Sequence, residues 1–550
     1  MKQNVLKYTA IALGLCVATV AQAQDLSTEV VVDRTVDPTE RAASRLGSLT
    51  PQLVLPTVNP SALPSARYTN LTALTRSYSR LDPARGAYAA YNSPYKGYFR
   101  VGYFPTLNLE AAAGYRFIDT EKAMLGANLD FHGTSYKPFE EFDAKQSYWN
   151  ARVAVNGAYR PDKVSQFQAG ISYEYLRQHS LVFGPQTIGT FNFGALWESQ
   201  AAGLDYKIGG DIMLDKSGKY GYDPDINGRP VELDGYSQPR FTLMGEISRE
   251  FQPGNRFGLG ITADIVNNGD AVYEGGISPA YTGMLGFIDF EPFYALVGDN
   301  ISARVGVKLD LGSGGESKNQ IAPDITIQWA PSSQVGLWAE VTGGEVLNTD
   351  HEFRHLSPFL MGSDIGYDRS KVKYKALGGL NFGPFTGFSA GIYGGYAKAS
   401  NWYMVNYDAE HPLMALNITG WTVGLRLGYE NRLLTASLDA AIAPGDGDKA
   451  WLDNRDRAKY VVKAAVDVRP IDRLTVGLGY DYRGGRSMYG GSSLKSMGHV
   501  SDLSLRAAYS VSPRFSVYAR AENILGHQYS ELPMVYSQKQ HGAIGFEVKF

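Results

Sequence analysis

The closing stretch Gly542-Ala-Ile-Gly-Phe-Glu-Val-Lys-Phe550 constrains the fold more than any other part of the chain. Ile544, Phe546, Val548 and Phe550 fall on one face, and Ala543, Gly545, Glu547 and Lys549 on the other. A period of two is the signature of a β-strand. Bulky apolar groups opposite small or charged ones describe a strand lying between an oily phase and a wet one.

The same alternation recurs far upstream. Leu474, Val476, Leu478, Tyr480 and Tyr482 alternate with Thr475, Gly477, Gly479 and Asp481. Ile301, Ala303, Val305, Val307, Leu309 and Leu311 alternate with Ser302, Arg304, Gly306, Lys308 and Asp310. Tyr460, Val462, Ala464, Val466 and Val468 alternate with Val461, Lys463, Ala465, Asp467 and Arg469. In a soluble sandwich the charged face meets bulk water and the apolar face a protein core. In a membrane barrel the charged face lines the lumen and the apolar face meets lipid. Periodicity alone does not separate the two, so the ends of the chain and the loop pattern have to.

The N-terminus reads as a secretory leader over 1–23. Lys2 and Lys7 form the positive region, Tyr8 to Val20 the short apolar region, and Ala21-Gln22-Ala23 the cleavage site. The apolar run is too short to remain as a spanning helix. Leu15 is too large for a lipoprotein signal at Cys16, and that sole cysteine leaves with the leader. The mature chain therefore forms no disulfide and no thiolate metal site. Loss of Lys2 and Lys7 takes the formal charge from −3 to −5, too small a bias to imply a nucleic-acid partner. No second long apolar run exists, which excludes helical spans. The 61 glycines suit curved strands and turns, and the 36 tyrosines suit membrane-interface girdles.

Short turns rich in Pro, Gly, Asn and Asp recur at 160–163, 252–255, 298–300, 331–333, 383–387, 429–432, 469–472 and 512–514. Longer polar stretches lie between them, at 132–146, 216–236, 268–282, 346–371, 401–415, 446–458, 485–500 and 526–538. Strict alternation of short periplasmic turns with long external loops is the asymmetry of outer-membrane barrels. Successive short turns lie mostly about 40 to 50 residues apart, room for two strands of roughly 10 residues and a loop. The expected fold is all-β: a transmembrane antiparallel β-barrel of about 22 strands over 97–550, with both ends on the periplasmic side. Its first three strands are expected at 97–103, 107–118 and 122–131. Residues 24–96 differ. Pro51, Pro56, Pro60, Pro64, Pro83 and Pro94 forbid long helices or ladders, so this is expected to be an extended periplasmic or lumenal segment.

A terminal Phe closing such a strand resembles the assembly signal of bacterial outer-membrane barrels, and assigns that role to Phe546, Val548 and Phe550. Two further stretches resemble TonB-dependent receptors. Ala521-Glu-Asn-Ile-Leu-Gly-His-Gln-Tyr529 with the closing strand is similar to that family's last hairpin. Ser27-Thr-Glu-Val-Val-Val-Asp33 is similar to its TonB box, a short strand that adds to an edge of the energising protein. The resemblance implies a solute transporter or channel of the outer membrane, with Glu29, Val30, Val31 and Val32 contacting a TonB-like periplasmic protein. The family places a globular plug between box and barrel, and the proline-rich 24–96 is too short to make one. The chain thus resembles a plugless relative, of a kind associated with Bacteroidetes. The alternative is a scaffold or accessory subunit of an outer-membrane secretion or barrel-assembly complex, with lipoprotein partners. Outer-membrane lipid is a partner on either reading.

Several constellations match patterns that carry chemistry. His351-Glu352-Phe353-Arg354-His355 matches H-E-x-x-H, whose zinc chemistry needs both histidines on one helical face and a third ligand. It lies in an external loop with Pro358 close behind and no further histidine at a suitable spacing, so a chance pair of loop histidines is expected. Asp223-Pro-Asp225-Ile-Asn227-Gly228 with Asp234 matches a calcium loop, with Asp where bidentate Glu is usual. Pro230, the absence of flanking helices and the hairpin signal Asn227-Gly228 favour a solvated turn, leaving Asp223, Asp225, Asn227 and Asp234 as a weak calcium candidate. The lumen-facing charges Arg304, Lys308, Asp310, Asp439, Lys463, Asp467, Arg469, Arg520, Glu522, Glu547 and Lys549 mix both signs, as mutual pairing requires. The loop aromatics Trp402, Tyr403, Tyr407 and Trp451 suit packing, or stacking on sugars. No Gly-x-Ser-x-Gly, no phosphate-binding loop and no catalytic carboxylate pair is present, so neither an enzyme nor a cofactor is expected.

The loop pattern carries a direct test. Epitopes inserted at Gly228, Gly447 and Gly490 are expected to bind antibody on intact cells, and one at Pro470 is not. Surface labelling at Pro470 would reverse the orientation.

Overall fold

The alternating segments form one 22-stranded antiparallel sheet in which each strand pairs with its neighbours in sequence. The computed structural model describes residues 95–550 apart from 105–107, 140–144, 182–183, 223–230, 234, 269–282, 316–318, 355, 361–366, 408–412 and 491–492. The leader and almost all of the extended segment lie outside the described residues. The first three strands are Gly97–Phe104, Asn108–Asp119 and Ala123–Tyr136, close to their expected places. The last strand, His541–Lys549, pairs with both Phe515–Glu522 and Gly97–Phe104, so the sheet closes on itself.

Burial follows the alternation, with its polarity inverted relative to a soluble protein. On the last strand Ile544 is 65% exposed and Phe546 and Phe550 are also exposed, whereas Glu547 is 4% exposed. On Ile301–Ser313 the apolar Val305, Val307, Leu309 and Leu311 face outward, and Asp310 is buried toward the lumen. A continuous outward apolar wall is stable only in hydrocarbon. This is a membrane-spanning barrel of the bacterial outer membrane.

Two details depart from the sequence reading. The stretch 401–415 is mostly strand, because Phe388–Val405 and Leu413–Glu430 each run for 18 residues. A bulge between Ala399 and Trp402 absorbs Asn401 at φ 56°, and pairing then resumes as far as Val405 opposite Leu413. Burial of Met404, Val405 and Leu413 holds this extension together. The alternation of turns and loops is also not strict, since the connections 180–185 and 314–319 on the loop-bearing side are short.

Many glycines are explained by rings lying across them. A Cβ at Gly258 would stand 2.2 Å from the ring of Phe293, its cross-strand partner, and one at Gly424 would meet Tyr393 as closely. Glycine opposite an aromatic lets the ring lie against the backbone in a curved sheet.

The seam uses the same device. Gly97 and Phe550 exchange both backbone hydrogen bonds, at 2.8 and 3.0 Å. A side chain at Gly97 would occupy the space of the Phe550 ring, which stacks on Tyr115 at 6.1 Å. Phe546 packs between Phe99 and Phe515, and Val548 lies opposite both of those residues across the ladders. On the lumen side Arg520 bridges Glu110 and Glu522 at 2.8 Å each, and Glu522 meets His541 at 2.9 Å.

Replacing Phe546 and Phe550 with Asp is therefore expected to lower outer-membrane levels sharply. Each charge on the lipid face costs up to a few kcal/mol, depending on depth, and the ring contacts of the seam are lost as well. Heat-modifiable migration on gels reports the folded barrel, and normal levels would refute the assignment.

Candidate functional site

The largest apolar cluster of the described residues lies across the loop-bearing mouth. Tyr148, Leu176 and Ile188 come from the fourth, fifth and sixth strands, whereas Tyr403 and Val405 come from the fifteenth and Leu413 from the sixteenth. In a closed ring of 22 strands, the fourth and fifteenth stand on opposite walls. Loop side chains fill the gap between them: Phe353, Phe359 and Leu360 from the connection 347–369, Met488 and Met497 from 485–499, and Leu532 and Val535 from 523–540. The loops thus fold inward into a cap with its own core.

The connection 347–369 is the principal piece. Thr349 caps a single helical turn, Asp350–Phe353, by accepting from the Glu352 N–H at 3.2 Å. That turn aims three groups at the wall formed by the seventh to ninth strands. Arg354 donates to both carboxylate oxygens of Asp215 at 2.7 Å and to the Tyr236 hydroxyl at 2.5 Å. Tyr236 and Thr190 in turn donate to Asp215. Glu352 pairs with Arg240, which also binds Asp264 through two bonds. The Asp350 N–H donates to Gln238 Oε1, and Gln178 donates to the Leu360 carbonyl, both at 3.1 Å. At the other end of the connection, Arg369 ties Glu345 to the carbonyls of Gly286 and Gly314.

Two further loops lock against this one. Arg455 donates to the Tyr403 carbonyl at 2.6 Å and lies over Trp402 and Phe353. Arg457 is fully buried and donates to the carbonyls of Val405, Ser487 and Gly447. Arg486 joins Asp456 to the Ser530 carbonyl. Gln528 reaches the Pro138 carbonyl, and the Tyr536 N–H reaches Gln146. Burial lowers the pKa of both Arg455, to about 10, and Arg457. Burial acts the same way on Arg354, but the Asp215 carboxylate outweighs it and leaves that guanidinium above its usual value.

Of the loop aromatics, Trp402, Tyr403 and Trp451 serve packing. Tyr403 stands edge-on to Tyr367 at 5.1 Å, and the indole N–H groups of Trp402 and Trp451 donate to the Leu452 carbonyl and to Asp453. Tyr407 stays exposed beneath Lys495. In the H-E-x-x-H motif, Glu352 is committed to Arg240 and His351 lies 3.4 Å from Arg354, while His355 lies outside the described residues. Among the described residues no group of three or more His, Cys, Asp or Glu is placed to hold a metal. The calcium candidates Asp223, Asp225, Asn227 and Asp234, and the box residues Glu29, Val30, Val31 and Val32, also lie outside the described residues. Several of the lumen charges pair: Arg304 with Glu291, Glu246 and Asp324, Asp439 with Arg426, Asp467 with Arg506, and Glu547 with Lys549.

No family model matches the sequence, and no curated protein matches it. Solved structures do. The ferripyoverdine receptor of the outer membrane of Pseudomonas aeruginosa matches with a TM-score of 0.60 at 11% identity, over 83% of this chain and 72% of that one. The siderophore receptor PirA from Acinetobacter baumannii matches with a TM-score of 0.59 at 11% identity, over 82% and 80%. A mutant of the ferric enterobactin receptor PfeA from Pseudomonas aeruginosa matches with a TM-score of 0.58 at 11% identity, over 82% and 80%. The fold is that of a siderophore-receptor barrel. Identity this low carries the architecture and nothing of the ligand.

The Arg354–Asp215 pair is expected to hold the cap down. Arg354→Ala leaves a buried carboxylate without its cation, a loss of about 3–5 kcal/mol, whereas the double variant Arg354→Leu with Asp215→Leu loses less. Protease cleavage within 347–369 in reconstituted barrels should accelerate strongly in the single variant and partly recover in the double. Equal cleavage in wild type and both variants would mean the pair does not restrain the loop.

Proposed function

We propose that this barrel moves a solute across the outer membrane through a gated lumen rather than an open pore. The observation that carries the reading is the cap, whose apolar core joins opposite walls across the mouth and whose buried ion pairs tie its principal loop to the barrel. A passive channel has no use for such a closure. A closure secured by buried ion pairs needs work to open it, which gives a role to a TonB-like periplasmic protein. Residues 27–33 would supply the extra strand for that partner's sheet edge. Residues 34–90 would enter the lumen as an extended strap, with Leu53, Val54, Leu55, Val58 and Leu63 held against the wall. The described chain starts on the turn-bearing side, where Gly97 pairs with Phe550, so such a strap would enter from the end opposite the cap. The named ligands of the structural neighbours make a ferric chelate the first solute to test.

One observation favours the scaffold reading. Solute binding at the cap would have to break contacts that already satisfy one another, as in the Arg354–Asp215–Tyr236 cluster. A permanently closed barrel in a larger outer-membrane assembly, with a lipoprotein partner, has no such requirement.

Planar-bilayer conductance separates these readings. The purified full chain is expected to be nearly silent. Deleting 348–368 should produce large, steady openings, and deleting 34–90 together with that loop should enlarge them further. An open-pore conductance in the intact chain would refute gating. Silence in both deletions, with an outer-membrane lipoprotein copurifying, would favour the scaffold.

A further inference from the structure

Far from the cap, the outer wall carries a groove of about 540 Å³ between the sixth and ninth strands. Its floor is Gly245, where an added Cβ would find only the Lys207 carbonyl, 4.0 Å away. Trp197, Tyr206, Ile208, Ile247, Leu259 and Ile261 surround it. Trp197, Ile208, Ile247, Leu259 and Ile261 are exposed on the lipid-facing side. Trp197 and Tyr206 stand edge to face at 5.3 Å and form one rigid wall. The groove opens beside the Ala202–Gly203 turn, so it sits low on the turn-bearing half of the barrel.

One residue in this region breaks the apolar pattern. On Ser237–Gln252 the buried Gln238, Arg240, Thr242 and Ser248 mark the lumen face by their even numbers. Arg249 therefore shares the outward face with Gly245 and Ile247, and it is exposed. Leu204 and Phe257 lie opposite it on the flanking strands. Nearby Arg256 is paired with Asp205 at 2.9 Å, but Arg249 has no carboxylate partner among the described residues. An outward arginine is tolerated near the membrane interface and costly at the midplane. Its place just before the Gln252–Asn255 turn puts it near the rim, at the level of lipid phosphates.

We propose that this wall holds a glycerophospholipid of the periplasmic leaflet at two points: its phosphate on Arg249 and one acyl chain in the groove over Gly245. The spacing suits it. Four residues of strand separate the two positions, about 13 Å along the strand, which takes a chain from the phosphate level well into the hydrocarbon. The charge suits it too, since an unpaired guanidinium on a lipid-facing wall calls for an anion, and a phosphodiester matches its planar fork. The apolar lining and the edge-to-face ring wall suit hydrocarbon and not a polar solute. The turn-bearing position selects the phospholipid leaflet over the lipopolysaccharide leaflet.

The full-length barrel, purified in mild detergent, tests this by native mass spectrometry with quantification of extracted lipid. Wild type is expected to retain phospholipid through delipidation. Arg249→Gln removes the phosphate contact, and Gly245→Trp fills the groove. Each should lower retained phospholipid about tenfold while heat-modifiable migration stays normal. Arg432→Gln, an exposed arginine at another turn, should change nothing. Should Gly245→Trp fail to fold, Arg249→Gln decides alone. Wild-type retention in Arg249→Gln, an equal loss in Arg432→Gln, or retention of lipopolysaccharide alone would each overturn the site.

Discussion

Backbone pairing of Tyr98–Tyr103 with Ile544–Lys549 leaves this sheet without an edge, and every other feature rests on that closure. An open sheet of 22 strands would expose two rows of unpaired N–H and C=O groups to hydrocarbon, where no water satisfies them. The two strands that meet are among the shortest of the barrel, at 8 and 9 residues. The seam compensates with side chains on both of its faces. Phe546, Phe550, Phe99 and Tyr115 pack on the lipid side, and Glu110, Arg520, Glu522 and His541 bond on the lumen side. Gly97 and Gly545 keep the backbones bare where rings must lie against them.

Closure creates a second requirement. A ring this wide encloses more space than its own wall side chains fill. The lumen charges meet part of it by pairing along and across strands, which keeps the wall polar without a dominant sign. The loops meet another part at one end. Their apolar residues cannot face water over a large area, and the apolar tops of opposite walls share that problem. Joining them solves both, and the ion pairs around the joint satisfy the charges it buries. The result inverts the usual arrangement: apolar surface outside, polar wall inside, and an apolar core only where the loops meet.

The sequence was most legible where information is local. The period of two, the turn residues and the closing aromatic strand each need only a short window, and the barrel, its strand count and its first strands follow from them. The cap was illegible for the opposite reason. Arg354 and Asp215 are 139 residues apart, and Gln178 and Leu360 are 182 apart. No periodicity encodes such a meeting. A partial signal existed in arginines crowding loops otherwise rich in aromatics, at 354, 369, 455, 457 and 486, because buried arginines require partners. The H-E-x-x-H match falls in the principal loop of the cap, where its glutamate belongs to an ion pair. The strand extension at 401–415 is hidden in the sequence because the bulge at Asn401 interrupts the alternation that identifies strands.

A tube whose wall is one layer of hydrogen-bonded strands is easily flattened unless something braces its circular cross-section. The cluster joining Tyr148, Leu176 and Ile188 to Tyr403, Val405 and Leu413 acts as a strut across that circle. The diameter at this end is then set by the lengths of interposed loop side chains and not by the strand ladder alone. Squeezing the membrane around the barrel would load the strut, and cutting the strut would soften the wall below it. Mechanical shape and mouth closure become a single property of the same few residues.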